Sequence, residues 1–221
     1  MAAENGEMKT SRLEAFSDGV IAVIITIMVL ELHVPHQDGL AGLWTVAPRL
    51  GIYLLSFLTV GIYWINHHEL LRRTEQADHR MLWANLIFLF ALSLIPYFVD
   101  YLDDKQFSPF STLLYEVVML LAGFTFYILR RTVLEMQAQT GALTIGDRNE
   151  FWKHRLSLFL YVVSIAVSFY KPWISLALNL VVTLIWIVPQ MGVQECHVDG
   201  ADLSLRPEDE AELLPTRDRL K

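Results

Sequence analysis

Apolar residues gather into six blocks along the chain, separated by short polar stretches. The blocks run roughly from Leu13 to His33, Thr45 to Asn66, Met81 to Asp100, Ser111 to Leu129, Leu156 to Tyr170 and Trp173 to Met191. A helix crossing a bilayer needs about 20 mostly apolar residues, and most of these blocks meet that length. The fifth is short and gains a turn from Phe151 to Arg155, with Lys153 and Arg155 able to snorkel toward the interface. Pro35 follows the first block, Pro109 precedes the fourth, and Lys171–Pro172 turns the chain between the last two. The pattern predicts an all-α integral membrane protein of six transmembrane helices. Residues 1–12 precede them, the membrane domain covers 13–191, and 192–221 form a tail.

Composition agrees with the blocks. Of 221 residues, 54% are hydrophobic and only 19% charged, below the quarter typical of soluble domains. Six spans leave no room for a large extramembrane catalytic domain. The net charge of −7 and the lack of a basic cluster with aromatics argue against a nucleic-acid partner. A lone Cys196 excludes an intrachain disulfide, and no Cys/His spacing suits zinc.

Basic residues set the expected orientation. With six spans, the chain ends and the segments 67–80 and 130–155 share one side, which holds 14 of the 17 Lys and Arg; Arg49, Lys105 and Lys171 lie on the other. By the positive-inside rule both ends are cytoplasmic. All six tryptophans fall near span ends, as an aromatic belt requires. Glu4 and Glu7 before the first block, and no small-residue cleavage site after it, argue against a cleaved signal peptide. The tail from Gln190 carries eight acidic and four basic residues with Pro207 and Pro215, a composition expected of a solvated, disordered segment.

The first block is a poor lipid-facing helix. Its unbroken apolar run, Gly19 to Leu30, is twelve residues, or about 18 Å of helix. Ser17 and Asp18 intrude at one end and Glu31 at the other. Charge at membrane depth is costly unless paired or wetted, so this helix should sit beside protein or water. Gly19, Val23, Thr26 (with Ile27 beside it) and Leu30 follow a helical repeat and share one stripe. Several copies around an axis would make a narrow apolar constriction with one hydroxyl ring, where Thr26 could coordinate a passing cation. The plainer reading packs the stripe on a neighbouring helix. Asp18 needs a partner, and topology brings Asn66, His67 and His68 of the second block, and Asn85 of the third, to its depth. That set reads as a structural network; a proton relay is the functional alternative.

Two signals fail. Thr59-Val60-Gly61-Ile62-Tyr63 resembles a potassium-filter sequence but lies within a helical run, whereas carbonyl filters need non-helical backbone. His67-His68-Glu69 lacks the second His that a helical metalloprotease has, with Arg72 in its place. Glu116 and Asn179 lie inside the fourth and sixth blocks and read as interhelical hydrogen-bond groups, with ion contact as the lesser alternative.

Arg12 with Phe16-Ser17-Asp18-Gly19 at the head of a first helix, followed by Thr26 and Leu30, resembles the signature of the lysosomal (endolysosomal) potassium channel family, in its prokaryotic members. Tyr63-Trp64-Ile65-Asn66-His67-His68 and Asn85 to Pro96 resemble that family's second and third helices, and the likeness covers most of the membrane region. It implies a homotetramer of six-helix subunits in the cell membrane. It also implies a central pore lined by helix one, without a carbonyl filter or cofactor, passing potassium in modest preference to sodium. Carried over by motif position, the narrow ring falls at Val23, the hydroxyl at Thr26 and further apolar layers at Ile27 and Leu30. Val23 stands where family members more often carry Ile or Leu, which leaves Val23, Ile27 and Leu30 as candidates for the tightest ring. Arg12, Phe16, Ser17 and Asp18 would hold helix one in place with Trp64, Asn66, His67, His68 and Asn85.

The expected function is therefore passive, potassium-preferring cation conduction through the bilayer. The rival is a proton-coupled transporter using Asp18, His67 and His68, although no span has the central Gly/Pro break of many transporter sites. An enzyme is not expected, since no nucleophile–base or metal constellation is present.

Overall fold

Long apolar blocks punctuated by proline, Gly and Asp give helices joined by short turns, and the computed structural model of the chain shows that arrangement. It describes residues 8–35, 37–139 and 145–187, with the side chains of 138–139 and 145–150 left aside. Among the described residues the order is β1 (Met8–Lys9), α1 (Thr10–Leu30), α2 (Gly39–Leu71), β2 (Gln76–Ala77), α3 (His79–Ser93), α4 (Ile95–Asp104), α5 (Pro109–Gln139), α6 (Ile145–Ser168) and α7 (Pro172–Ile187). Among the described residues, most of each of the six apolar blocks is helical. Four stretches are long and apolar enough to cross a membrane: α1, α2, α3–α4 taken together, and α5 to Gln137. At 16 residues, α7 is about 24 Å long; α6 is longer, but its first half carries Arg148, Lys153 and Arg155.

The boundaries depart from the hydropathy pattern for identifiable reasons. The third block is broken at Leu94 because Pro96 has no N–H to return to the carbonyl of Leu92; Leu94 N bonds Ala91 O at 3.3 Å and Phe98 N restarts the ladder on Leu94 O at 3.2 Å. Polar turns extend α2, α5 and α6 past their apolar cores. Asp78 caps α3 by accepting from Met81 N at 2.8 Å, which satisfies one of the amides that a helix start leaves free. Gly42 permits the tight entry to α2, since a Cβ there would lie 1.9 Å from the Gln37 carbonyl oxygen. The acidic tail lies outside the described residues.

Packing joins α5 to α3, α4 and α6, and α6 to α7, while α1 leans on α2, α3 and α4. An aromatic knot of Tyr63, Phe88 and Phe126, with centroids 5.1–5.6 Å apart, fills the space between α2, α3 and α5. Polar links cross the interior as well. Ser56 on α2 meets the Tyr115 hydroxyl on α5 at 3.1 Å, and Thr59 on α2 meets Thr183 on α7 at 3.0 Å. At the end of the bundle opposite the start of α1, Arg49 of α2 forms an ion pair with Asp103 of α4.

The start of α1 is tied down by a feature that hydropathy does not announce. Strands β1 and β2 pair antiparallel, Met8 opposite Ala77 and Lys9 opposite Gln76, and Thr10 N bonds Glu75 O at 3.2 Å. From α5, the Gln137 amide donates to Arg73 O in the same turn at 3.1 Å. The α2–α3 turn is thus a shared anchor for the first and fifth helices.

Candidate functional site

Helix α1 has two faces set by its own spacing. Leu13, Ser17, Ile21, Ile24 and Met28 recur every three or four residues and are buried, forming the stripe that packs on the bundle. Rotated away from it lie Gly19, Val23, Thr26, Ile27 and Leu30, and all five are exposed. Leu30 keeps 79% of its surface open and Val23 55%. Gly19 is uncrowded, and an added Cβ there would meet open space. Thr26 donates its hydroxyl to Val23 O at 2.8 Å, which leaves its oxygen able to accept.

Alongside this stripe runs a groove of about 660 Å³ between α1 and the α3–α4 break. Phe16, Val23 and Ile27 form one wall, Pro96 and Tyr97 the other, and Glu31 and Asp100 line it further along α1. The exposed face of α1 is therefore an apolar ridge beside an apolar trough, bounded by carboxylates toward the C-terminal end of α1.

The polar motif of α1 is held by three separate contacts. Ser17 is fully buried and donates to Leu13 O at 2.8 Å. Its oxygen accepts from the Asn85 amide at 2.9 Å, and Asn85 Oδ1 lies 2.7 Å from His67 Nε2. Because Asn85 donates through nitrogen to Ser17, its oxygen faces His67, so Nε2 carries the proton. The His67 ring stacks on Phe88 with centroids 5.8 Å apart. Asp18, one step round the helix, is only half-buried and accepts from the Trp64 indole at 2.8 Å. Trp64 in turn stacks on His68 at 6.0 Å, whose Nδ1 lies 2.5 Å from Glu14 Oε1.

This corrects the expected partnership in its details. Asp18 takes Trp64, not the histidines or amides, because successive residues on a helix point about 100° apart: Ser17 faces inward to α3 and Asp18 sideways to α2. Asn66 donates to Ile62 O of its own helix at 2.8 Å. Phe16 is 54% exposed, and Arg12 makes no hydrogen bond or ion pair among the described residues. Glu14 was missed by sequence reasoning, although its place four residues before Asp18, opposite a His-rich helix end, was a usable signal. Among the described residues no group of three or more His, Cys, Asp or Glu side chains converges as a metal site.

Comparison with known proteins places this arrangement. Residues 12–96, which span α1 to the start of α4, match the model of the family described as endosomal/lysosomal potassium channel TMEM175. A potassium channel of Chryseobacterium sp. (strain P1-3) is 37% identical over 188 residues, covering 85% of this chain and 97% of that one. The chicken endosomal/lysosomal proton channel TMEM175 is 25% identical over 191 residues, 77% of this chain but 37% of that longer protein. The fold also superposes on the crystal structure of a lysosomal potassium-selective channel TMEM175 homolog from Chamaesiphon minutus. The TM-score is 0.70 at 25% identity, covering 81% of this chain and 97% of that one. With near-complete coverage of a relative at that identity, the chain belongs to the TMEM175 family of endosomal/lysosomal potassium channels.

Proposed function

We propose that the chain is one subunit of a potassium-preferring cation channel in which four copies gather their α1 helices around a central conduit. The observation that carries this reading is the division of α1 into a buried stripe and an unburied apolar ridge. An apolar ridge with a groove beside it, on the helix with the family motif, is the surface a symmetric assembly would use. Around a fourfold axis the ridge supplies layers at Val23, Ile27 and Leu30 that narrow and dry the path, and a hydroxyl layer at Thr26 that coordinates a partly dehydrated potassium ion. Glu31, at the end of α1, adds negative charge that concentrates cations at the mouth. The names of the bacterial relatives support the same cargo.

The membrane arrangement that goes with this reading has six crossings, with α6 and α7 as the fifth and sixth, both ends in the cytoplasm and the bacterial cell membrane as the setting. The 14-to-3 distribution of Lys and Arg supports it. Ser17, Asn85, His67, Asp18, Trp64, His68 and Glu14 act as the mount that fixes the angle of α1 and do not touch the ion. The rival relay would need Asp18, His67 and His68 to exchange protons with one another, yet each pairs with a different residue: Trp64, Asn85 and Glu14.

Reconstitution tests the proposal. Purified protein in planar bilayers should give discrete unitary currents whose reversal potential, in a potassium/sodium gradient, shifts toward the potassium equilibrium value. Chemical crosslinking should end at a four-subunit band. Saturable flux without unitary openings, or a fully active monomer, would sink it.

A further inference from the structure

A cavity that the pore reading does not use lies between α2, α5, α6 and α7. It has about 30 Å³ open to a water-sized molecule, and Tyr63, Gly123, His154, Ser157, Tyr161 and Trp186 are among the residues that line it. Gly123 keeps the gap open, since a Cβ there would stand 3.3 Å from the Tyr63 hydroxyl oxygen and 3.4 Å from Leu158 Cδ2. His154 is 4% exposed and sits among aromatic rings, with centroids 4.6 Å from Trp186, 5.6 Å from Phe126 and 6.1 Å from Tyr127. Its Nε2 is buried and has no hydrogen-bond partner. Three residues along the same face of α6, the buried Ser157 accepts from the Trp186 indole at 2.9 Å. The Ser157 proton is left without an acceptor among the described residues.

A buried imidazole nitrogen and a buried hydroxyl proton are each destabilising when left unpaired. Here the two are complementary: they belong to neighbouring positions of one helix, line one cavity and make no direct bond. The size of the cavity decides what joins them. A water needs about 10–15 Å³ of such room and two to four polar partners, so the space admits about two waters. It is far below the roughly 150 Å³ that takes in a benzene ring, which excludes an organic ligand or a lipid chain. No carboxylate lines it, which leaves a cation without a counter-charge. Water both donates and accepts, so it satisfies either tautomer of His154, and a bridging water is nearly as good as a direct bond.

We infer that this cavity is an internal water-binding site, in which one ordered water bridges Ser157 Oγ and His154 Nε2. Through it the Trp186 indole of α7, the Ser157 hydroxyl and the His154 ring form one hydrogen-bonded chain. The site is separate from the conduit and stands independently of the pore reading.

The test is hydroxyl-radical labelling of the purified full-length protein in detergent by X-ray radiolysis, read by mass spectrometry. The radicals form from water itself, so a buried ring beside bound water is oxidised while an equally buried ring in a dry setting is spared. Tyr161 is 2% exposed and lines the cavity; Tyr115 is 0% exposed and does not. The two phenols share the same intrinsic reactivity. Tyr161 should label several-fold faster than Tyr115. His154→Phe, which keeps a planar ring and removes the nitrogen, should bring Tyr161 down to the Tyr115 rate. Ser157→Ala, which removes the proton donor, should also slow Tyr161, and it decides the matter alone if His154→Phe does not fold. An unchanged Tyr115 rate in both variants reports an intact bundle. The inference is overturned if Tyr161 labels no faster than Tyr115 in wild type, which would make the cavity dry. It is also overturned if the excess survives either substitution in a folded protein, which would place the water elsewhere.

Discussion

Replacing Asn85 with Ala is the most direct probe of how α1 is mounted. Asn85 is 1% exposed and joins Ser17 of α1 to His67 of α2 through bonds of 2.9 and 2.7 Å. Ala removes both bonds and strands the Nε2–H of His67, which is fully buried. Ser17 loses less, because it still donates to Leu13 O. An unsatisfied buried donor costs about 1–3 kcal/mol, and hydrogen bonds between membrane helices average about 0.6 kcal/mol by double-mutant cycles. With the small void left by the amide, about 2 kcal/mol is expected, or a Tm lower by roughly 4–8 °C for a chain of this length. Trp64→Phe is the matched control. It removes only the indole N–H from the half-exposed Asp18, where water replaces it, and should cost less than about 1 kcal/mol. Adding Ser17→Ala to Asn85→Ala should cost less than the sum of the two singles, because the second change removes a partner already lost. Thermal unfolding of the detergent-purified protein, followed by tryptophan fluorescence and by chemical crosslinking in parallel, reads all four. If Trp64→Phe proves as damaging as Asn85→Ala, or the two network changes add fully, the buried triad is not what holds α1.

Three further outcomes follow from the same geometry. Leu30→Asn and Ile27→Ala should raise unitary conductance or resting leak, and Val23→Leu should lower it; unchanged currents in all three would place the ridge against another helix. Arg49→Ala should cost about 0.5–1 kcal/mol, since the pair with Asp103 is partly exposed, and the difference from wild type should shrink in high salt. A membrane-impermeant maleimide should not label Cys196, the chain's single cysteine, on intact cells and should label it after permeabilisation; labelling on intact cells would reverse the orientation.

Hydropathy made the helical class and the rough place of every long helix legible, because a block of twenty apolar residues has few other solutions. It did not show the break at Leu94, although Pro96 was visible, since a proline near the end of a block reads equally as a cap or a kink. Spacing alone grouped Gly19, Val23, Thr26 and Leu30 on one stripe of α1, but did not show whether that stripe packs on a neighbouring helix or stays open. Which polar side chains meet was not legible either. Asp18 and Ser17 are neighbours in the chain but diverge in direction, and choosing between Trp64, Asn85 and two histidines needs helix rotation to within a few tens of degrees. The β1–β2 pairing lay outside any pattern because two-residue strands carry no periodicity.

The mounting of α1 is uneven along its length. At its start it is stitched by backbone, through Thr10 to Glu75 and through the preceding β1 to Gln76 and Ala77, and by side chains to His68, Trp64 and Asn85; beyond Ile21 apolar contacts hold it among the described residues. A rod fastened at one end and merely rested along the other swings about its fastening. For a tilt of about 5° centred on Ser17, Gly19 shifts by about 0.3 Å and Leu30, about 20 Å farther along, by about 1.7 Å. In the proposed assembly, small rearrangements among subunits would thus be magnified where Leu30 stands and scarcely felt at Gly19, and the aperture would be adjusted at the far tip of the helix.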